Sequence, residues 1–189
     1  MEKKNIILAV TGASGSAYAN LLMKEIAKHE DQVGNASLVF SKTATKVWEH
    51  EMSSPPSVPG IFKQYAPDDF FSPIASGSSG FDTMIICPCS MGTLGRIANG
   101  VSDDLITRSA DVILKERRNL ILVPRETPYN LLHIRNMEKL LLAGALILPA
   151  TPSFYSKPID LEGLLMTVVE RILVHAGFKI DHFKWGSKC

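Results

Sequence analysis

No apolar run in this chain approaches the roughly 20 residues that an α-helix needs to cross a bilayer, which argues against a membrane-spanning protein. Neither sign of charge dominates. With 20 lysines and arginines against 19 aspartates and glutamates, there is no global field to hold nucleic acid or an anionic membrane, and any phosphate must be met locally. Cysteine is scarce: Cys87, Cys89 and Cys189 make an odd count with no disulfide framework. Cys87 and Cys89 lack the C-x-x-C spacing and second ligand pair of a zinc site, so they read as reduced thiols, Cys87 on a buried strand. Met1-Glu2-Lys3-Lys4 runs straight into a short apolar segment, with neither a long h-region nor a small-residue cleavage site. The expectation is a soluble, cytoplasmic protein. Internal repeats are also missing.

What is present is an alternation of short apolar runs, small hydroxyl-bearing turns and segments with helical spacing. At 189 residues and 46% hydrophobic content the chain can bury one sizeable core. Runs at residues 5–11, 36–40, 83–87, 120–123 and 145–148 read as strands, and helices are predicted over 17–27, 44–51, 104–115, 129–143 and 161–176. This alternation predicts one α/β domain, residues 1–189, built on a doubly wound parallel sheet. Two segments depart from it. Residues 52–80, rich in proline, glycine and serine, read as a long loop or lid, and residues 178–189 as a tail that docks through Phe183 and Trp185 on the body or on a neighbouring subunit.

Ligands of open α/β sheets bind beyond the carboxyl ends of the strands. There the chain has Thr11-Gly12-Ala13-Ser14-Gly15, then Ser41-Lys42-Thr43, then Cys87-Pro88-Cys89-Ser90-Met91-Gly92-Thr93, then Pro124-Arg125-Glu126-Thr127-Pro128. The first turn opens a helix whose N–H groups and positive dipole end can hold a phosphate; an ordinary strand-to-helix connection fits it equally. Ser41 has the position of a helix cap. Asp104 and Asp111 stand four residues before Arg108 and Lys115, the spacing of surface ion pairs. Arg171 borders the apolar face of the last helix and calls for a partner, a bound anion among the candidates. The residues by themselves describe a site for a phosphorylated ligand with an aromatic body.

Taken in order, these turns, the later Thr107-Arg108-Ser109-Ala110-Asp111 and Pro152-Ser153-Phe154-Tyr155 segments and Arg171 resemble the UbiX-type flavin prenyltransferases, the UbiX/Pad family, over most of the chain. The resemblance implies a flavodoxin-like Rossmann fold and a metal-independent transfer of a dimethylallyl group from dimethylallyl phosphate to N5 and C6 of reduced FMN. The product, prenylated FMN, serves UbiD-type decarboxylases, and the assembly is a homododecamer. By motif, FMN would be met by Gly12, Ala13, Ser14, Ser41, Ser90, Met91, Gly92, Thr93 and Arg125. The allylic phosphate would be met by Lys115, Tyr155, Arg171 and Arg108, with Arg171 coming from an adjacent subunit. Ser14, Glu51, Lys115 and Glu126 would take the catalytic roles. One departure is Phe70, which stands before Ala75-Ser76-Gly77-Ser78-Ser79 where many relatives carry tryptophan. Two other readings stand beside this one: an FMN-dependent cysteine-type decarboxylase using His50, and a noncatalytic flavin carrier subunit.

Overall fold

The computed structural model describes residues 3–186; Cys189 and the end of the expected docking tail lie outside the described residues. Among the described residues the strands are β1 (Lys4–Val10), β2 (Val33–Phe40), β3 (Phe62–Tyr65), β4 (Thr83–Cys89), β5 (Asn119–Pro124) and β6 (Leu146–Ile147). The α-helices are α1 (Ser16–Lys28), α2 (Lys42–Met52), α3 (Met91–Ala98), α4 (Leu105–Lys115), α5 (Leu131–Leu142) and α6 (Leu161–His175). All strand pairs are parallel, in the order β3-β2-β1-β4-β5-β6. Removing β3 leaves the flavodoxin-type order, and in both arrangements the strand sequence reverses between β1 and β4, the point at which open sheets bind ligands.

Alternation along the central strands sorts the core into two layers. Ile6, Leu8 and Val10 of β1 pack with α1, α2 and α6, while Ile7 and Ala9 pack on the opposite face with α3, α4 and α5. Because both faces are covered, the strands are apolar throughout, as parallel sheets require. In β4 the pairing with β5 shifts between Ile86 and Cys89, and Cys87 and Cys89 end in different layers. Burial raises both thiols, that of Cys89 to about 12, so neither is a reactive thiolate.

The stretch expected as a long loop or lid contains edge strand β3, which pairs Phe62 to Tyr65 with Ala36 to Val39. Its four residues alternate weakly, only Phe62 being buried, and flanking prolines hide it among turn signals. Short 3₁₀ turns at Pro73–Ala75 and Gly77–Ser79 follow, and Ile74 anchors them in the core. Helix α5, predicted from its apolar spacing, buries only part of that apolar surface. Met137 and Leu140 are buried, but Leu131, Leu132, Ile134, Leu141 and Leu142 face outward. In the tail, Lys179 exchanges two hydrogen bonds with Gln32, Phe178 is buried, and the Trp185 ring lies 4.9 Å from that of Tyr155.

Candidate active site

Strands β1, β2 and β4 end side by side, and each delivers the chain into a helix. Thr11 ties two of these exits together: its hydroxyl donates to Pro88 O at 2.7 Å and accepts from the Ser90 N–H at 2.8 Å. Ser41 caps α2, accepting from the Ala44 N–H at 3.0 Å. Ser90 caps α3, accepting from the Thr93 N–H at 3.3 Å. Between them lies a cleft of about 620 Å³ lined by Gly12, Ser41, Thr43, Ser90, Gly92 and Thr93, together with Lys42, Arg96, Asp103 and Asp104. A Cβ on Gly12 would stand 2.5 Å from Thr43 Cγ2 and 2.7 Å from Thr43 Cβ. Only glycine lets the first turn of α2 approach β1 so closely.

The start of α1 is organised differently from the phosphate cradle that its sequence allows. Glu51, at the far end of α2, reaches across and takes the orphan donors: the Gly15 N–H at 3.0 Å and the Ser16 N–H at 2.7 Å. A carboxylate thus stands where an anion would bind, and it complements the positive end of the helix. Burial pushes the Glu51 carboxyl up, but hydrogen bonds from the Ser14 side chain and from Ser16 and Gly15 outweigh it, leaving its pKa below the ordinary 4.5. Glu51 is therefore an ionised acceptor at the start of α1, beside Ser14. The turn itself requires Gly15, at φ 118°.

Beyond β5, Arg125 and Glu126 line a smaller hollow of about 180 Å³ with Thr127, Tyr129, Pro149 and Thr151. The Thr127 N–H donates to Glu126 Oε1 at 3.0 Å. Burial and then Cys87 raise the Tyr18 hydroxyl, and Arg125 pulls it back.

The cations expected to act together are paired separately. The i,i+4 pairing predicted on α4 does not form: Asp104 instead caps α4 and binds Arg96 at 2.8 Å. Arg108 bonds Asp111 at 3.1 Å and Ala75 O at 3.2 Å, and Lys115 pairs with Glu116. Arg171, exposed, meets His175 Nε2 at 3.2 Å. Lys115 ends α4 just before Asn119, whose N–H donates to Asp82 O, so it lies at the amino edge of the sheet. Gly12 and Ser90 lie at the carboxyl edge. The seven residues of β4 separate the two edges by roughly 20 Å at about 3.3 Å per residue. One chain does not bring Lys115 to its own cleft.

A family model described as Flavoprotein matches residues 1–172. The chain is 43% identical, over 96% of its length and 98% of the relative's, to "Flavin prenyltransferase UbiX" of Methanocaldococcus jannaschii. The chain belongs to the UbiX flavin prenyltransferase family. Among solved UbiX structures, AnUbiX in complex with FMN and dimethylallyl pyrophosphate is 38% identical with a TM-score of 0.87, covering 97% of this chain and 100% of that one. A dodecameric FMN-dependent Ubix-like decarboxylase from Escherichia coli is 34% identical with a TM-score of 0.89, at the same coverage.

Within this UbiX frame, sequence reasoning named Lys42 and Thr43 only as part of the turn after Ser41, not as site residues, and missed Arg96. Thr43 could have been found as the neighbour of capping Ser41. Arg96 had one signal, its place three residues after Thr93 on the same helical face. The docking of Glu51 onto α1 had none, because its two elements meet only through the tertiary packing.

Proposed function

We propose that the protein is a flavin prenyltransferase that joins the dimethylallyl group of dimethylallyl phosphate to N5 and C6 of reduced FMN. The observation that carries this reading is the cleft at the β1/β4 switch point, lined by hydroxyls, helix-terminal N–H groups and a sterically required glycine. It has the donors for a phosphate monoester and lies on a fold shared with a relative solved with both FMN and a prenyl donor. Ser41, Ser90 and Thr93 would hold the flavin phosphate. Gly12, Ala13, Ser14, Met91 and Gly92 would border the flavin body, and Arg125 would be its charged contact.

When bound, reduced FMN supplies the nucleophilic N5 and C6. The chain's task is to stabilise charge. Breaking the allylic C–O bond leaves the electron pair on phosphate, and fixed cations and hydrogen bonds lower that barrier. Lys115, Arg108, Tyr155 and Arg171 take this role, with Lys115 and Arg171 supplied by neighbouring copies. Once the allyl group is on N5 and the N5 proton has gone to the departing phosphate, closure at C6 needs one proton added to the remaining alkene and one removed from C6. Ser14 and the ionised Glu51 beside it, with Glu126 from the hollow beyond β5, would carry that proton between them. Phe70, 44% exposed, offers an aromatic wall for the prenyl group. The assembly is a homododecamer, in which the outward apolar face of α5 is covered. The product passes to a UbiD-type decarboxylase in the cytoplasm. His50, on which a cysteine-decarboxylase reading depends, is exposed and does not line the cleft.

The test is anaerobic incubation of the purified protein with reduced FMN and dimethylallyl phosphate, followed by mass spectrometry of the extracted flavin. A gain of one C5 prenyl unit that requires the protein is the expected result. Unmodified FMN with this donor, with the pyrophosphate and with geranyl donors would overturn the reading.

A further inference from the structure

We infer that Arg96 is a positioning residue for the phosphate of FMN, acting through the hydroxyl of Thr93; the inference rests on the placement of that phosphate in the cleft. The guanidinium is committed on three sides. Its Nη1 donates to Asp103 at 2.5 Å and to Asp104 at 2.8 Å, and its Nη2 donates to Thr93 Oγ1 at 3.3 Å. Asp104 is itself fixed, because it accepts from the Thr107 N–H at 2.7 Å as the cap of α4. Two carboxylates against one cation leave Arg96 no surplus positive charge for a ligand. Whatever Arg96 does for a phosphate it does through Thr93.

Thr93 is 3% exposed, and its hydroxyl accepts from Ser90 Oγ at 3.1 Å as well as from Arg96. A hydroxyl has one hydrogen and two lone pairs. With both lone pairs engaged, the hydrogen is left for a third group, and Thr93 lines the cleft. Arginine cannot accept, so it holds the hydroxyl in its donating orientation. Charge-assisted donation into Thr93 also makes that hydrogen more acidic and a stronger partner for an anionic oxygen. The planar fork holds Nη1 toward both aspartates and Nη2 toward Thr93 at fixed separations, which a compact ammonium does not reproduce.

The test measures dissociation constants of the full-length protein for FMN and for riboflavin, which lacks the phosphate, by flavin fluorescence quenching. Arg96→Met should weaken FMN about tenfold, the scale of one hydrogen bond to a charged group, and leave riboflavin within about twofold. Thr93→Val should do the same, and Arg96→Met in the Thr93→Val background should add nothing. Effects that multiply in the double variant, or equal losses for FMN and riboflavin, would overturn the role. Arg96→Lys keeps the charge and serves as a second probe should the methionine variant not fold: a clear loss of FMN preference is expected, and full retention would overturn the inference. Equal wild-type affinities for FMN and riboflavin would instead remove the phosphate from this cleft, an outcome separate from whether the protein transfers prenyl groups.

Discussion

The Ser16 N–H at the start of α1 donates to the Glu51 carboxylate at 2.7 Å. A side chain from the end of one helix thereby closes the terminus of another, beside a hydroxyl proposed to relay a proton. Glu51→Ala should lower stability by about 1 kcal/mol, the usual worth of an N-terminal cap. The sign with pH follows from the depressed carboxyl: its contribution is full above the ordinary 4.5 and is lost as pH falls through the lower folded value. Urea midpoints of wild type and variant should therefore differ at pH 7 and converge in strong acid. A gap that widens on acidification would contradict this.

Gly12 and Thr43 are in contact with no room to spare. Gly12→Ala places a methyl against a β-branched side chain and should displace the start of α2, at a cost of about 1–3 kcal/mol. FMN affinity should drop at least about tenfold, and Gly12→Ala combined with Thr43→Ser, which removes the Cγ2 methyl, should recover part of it. Isothermal titration of FMN into each variant reads the effect directly.

Lys115 and Ser14 belong to opposite edges of one sheet, so the site proposed for them would take each from a different copy. Lys115→Ala or Arg171→Ala should bind FMN normally while prenyl transfer falls at least about a hundredfold. Co-expression of Lys115→Ala with Ser14→Ala should restore activity at the fraction of sites that receive both native residues. Mixed assemblies as inactive as either parent would place the two residues in separate functions.

The outer face of α5 is apolar without a partner among the described residues, Leu142 being 84% exposed and Leu132 68%. Leu132→Glu with Leu142→Glu should leave the monomer fold intact, because neither side chain is in the core, and should shift the sedimentation profile to smaller species. Activity should fall with assembly. An unchanged oligomer would move the interface elsewhere.

The sheet was legible because strands buried on both faces are written as unbroken apolar runs, and Asn5 to Thr11 or Leu120 to Val123 can hardly be read otherwise. Ser41 was legible as a cap because a cap is a local device, spanning three residues. β3 was not, since an edge strand of four residues with one buried side chain carries almost no pattern. Family resemblance named Gly12, Ser41, Ser90, Gly92 and Thr93, which line the cleft, but not Thr43 or Arg96, and it assigned only Arg171 to an adjacent subunit.

Local order, the parallel sheet and the chemistry at each strand end were determined by the sequence alone, because hydrophobic period, capping and turn formation act over a few neighbouring residues. Only the tertiary structure decided that Glu51 would take the α1 terminus, that Arg96 would be tied to Thr93 and two aspartates, and that Lys115 would end far from its own cleft. Those outcomes depend on how helices of fixed length and direction pack across the sheet, which no short stretch of sequence specifies.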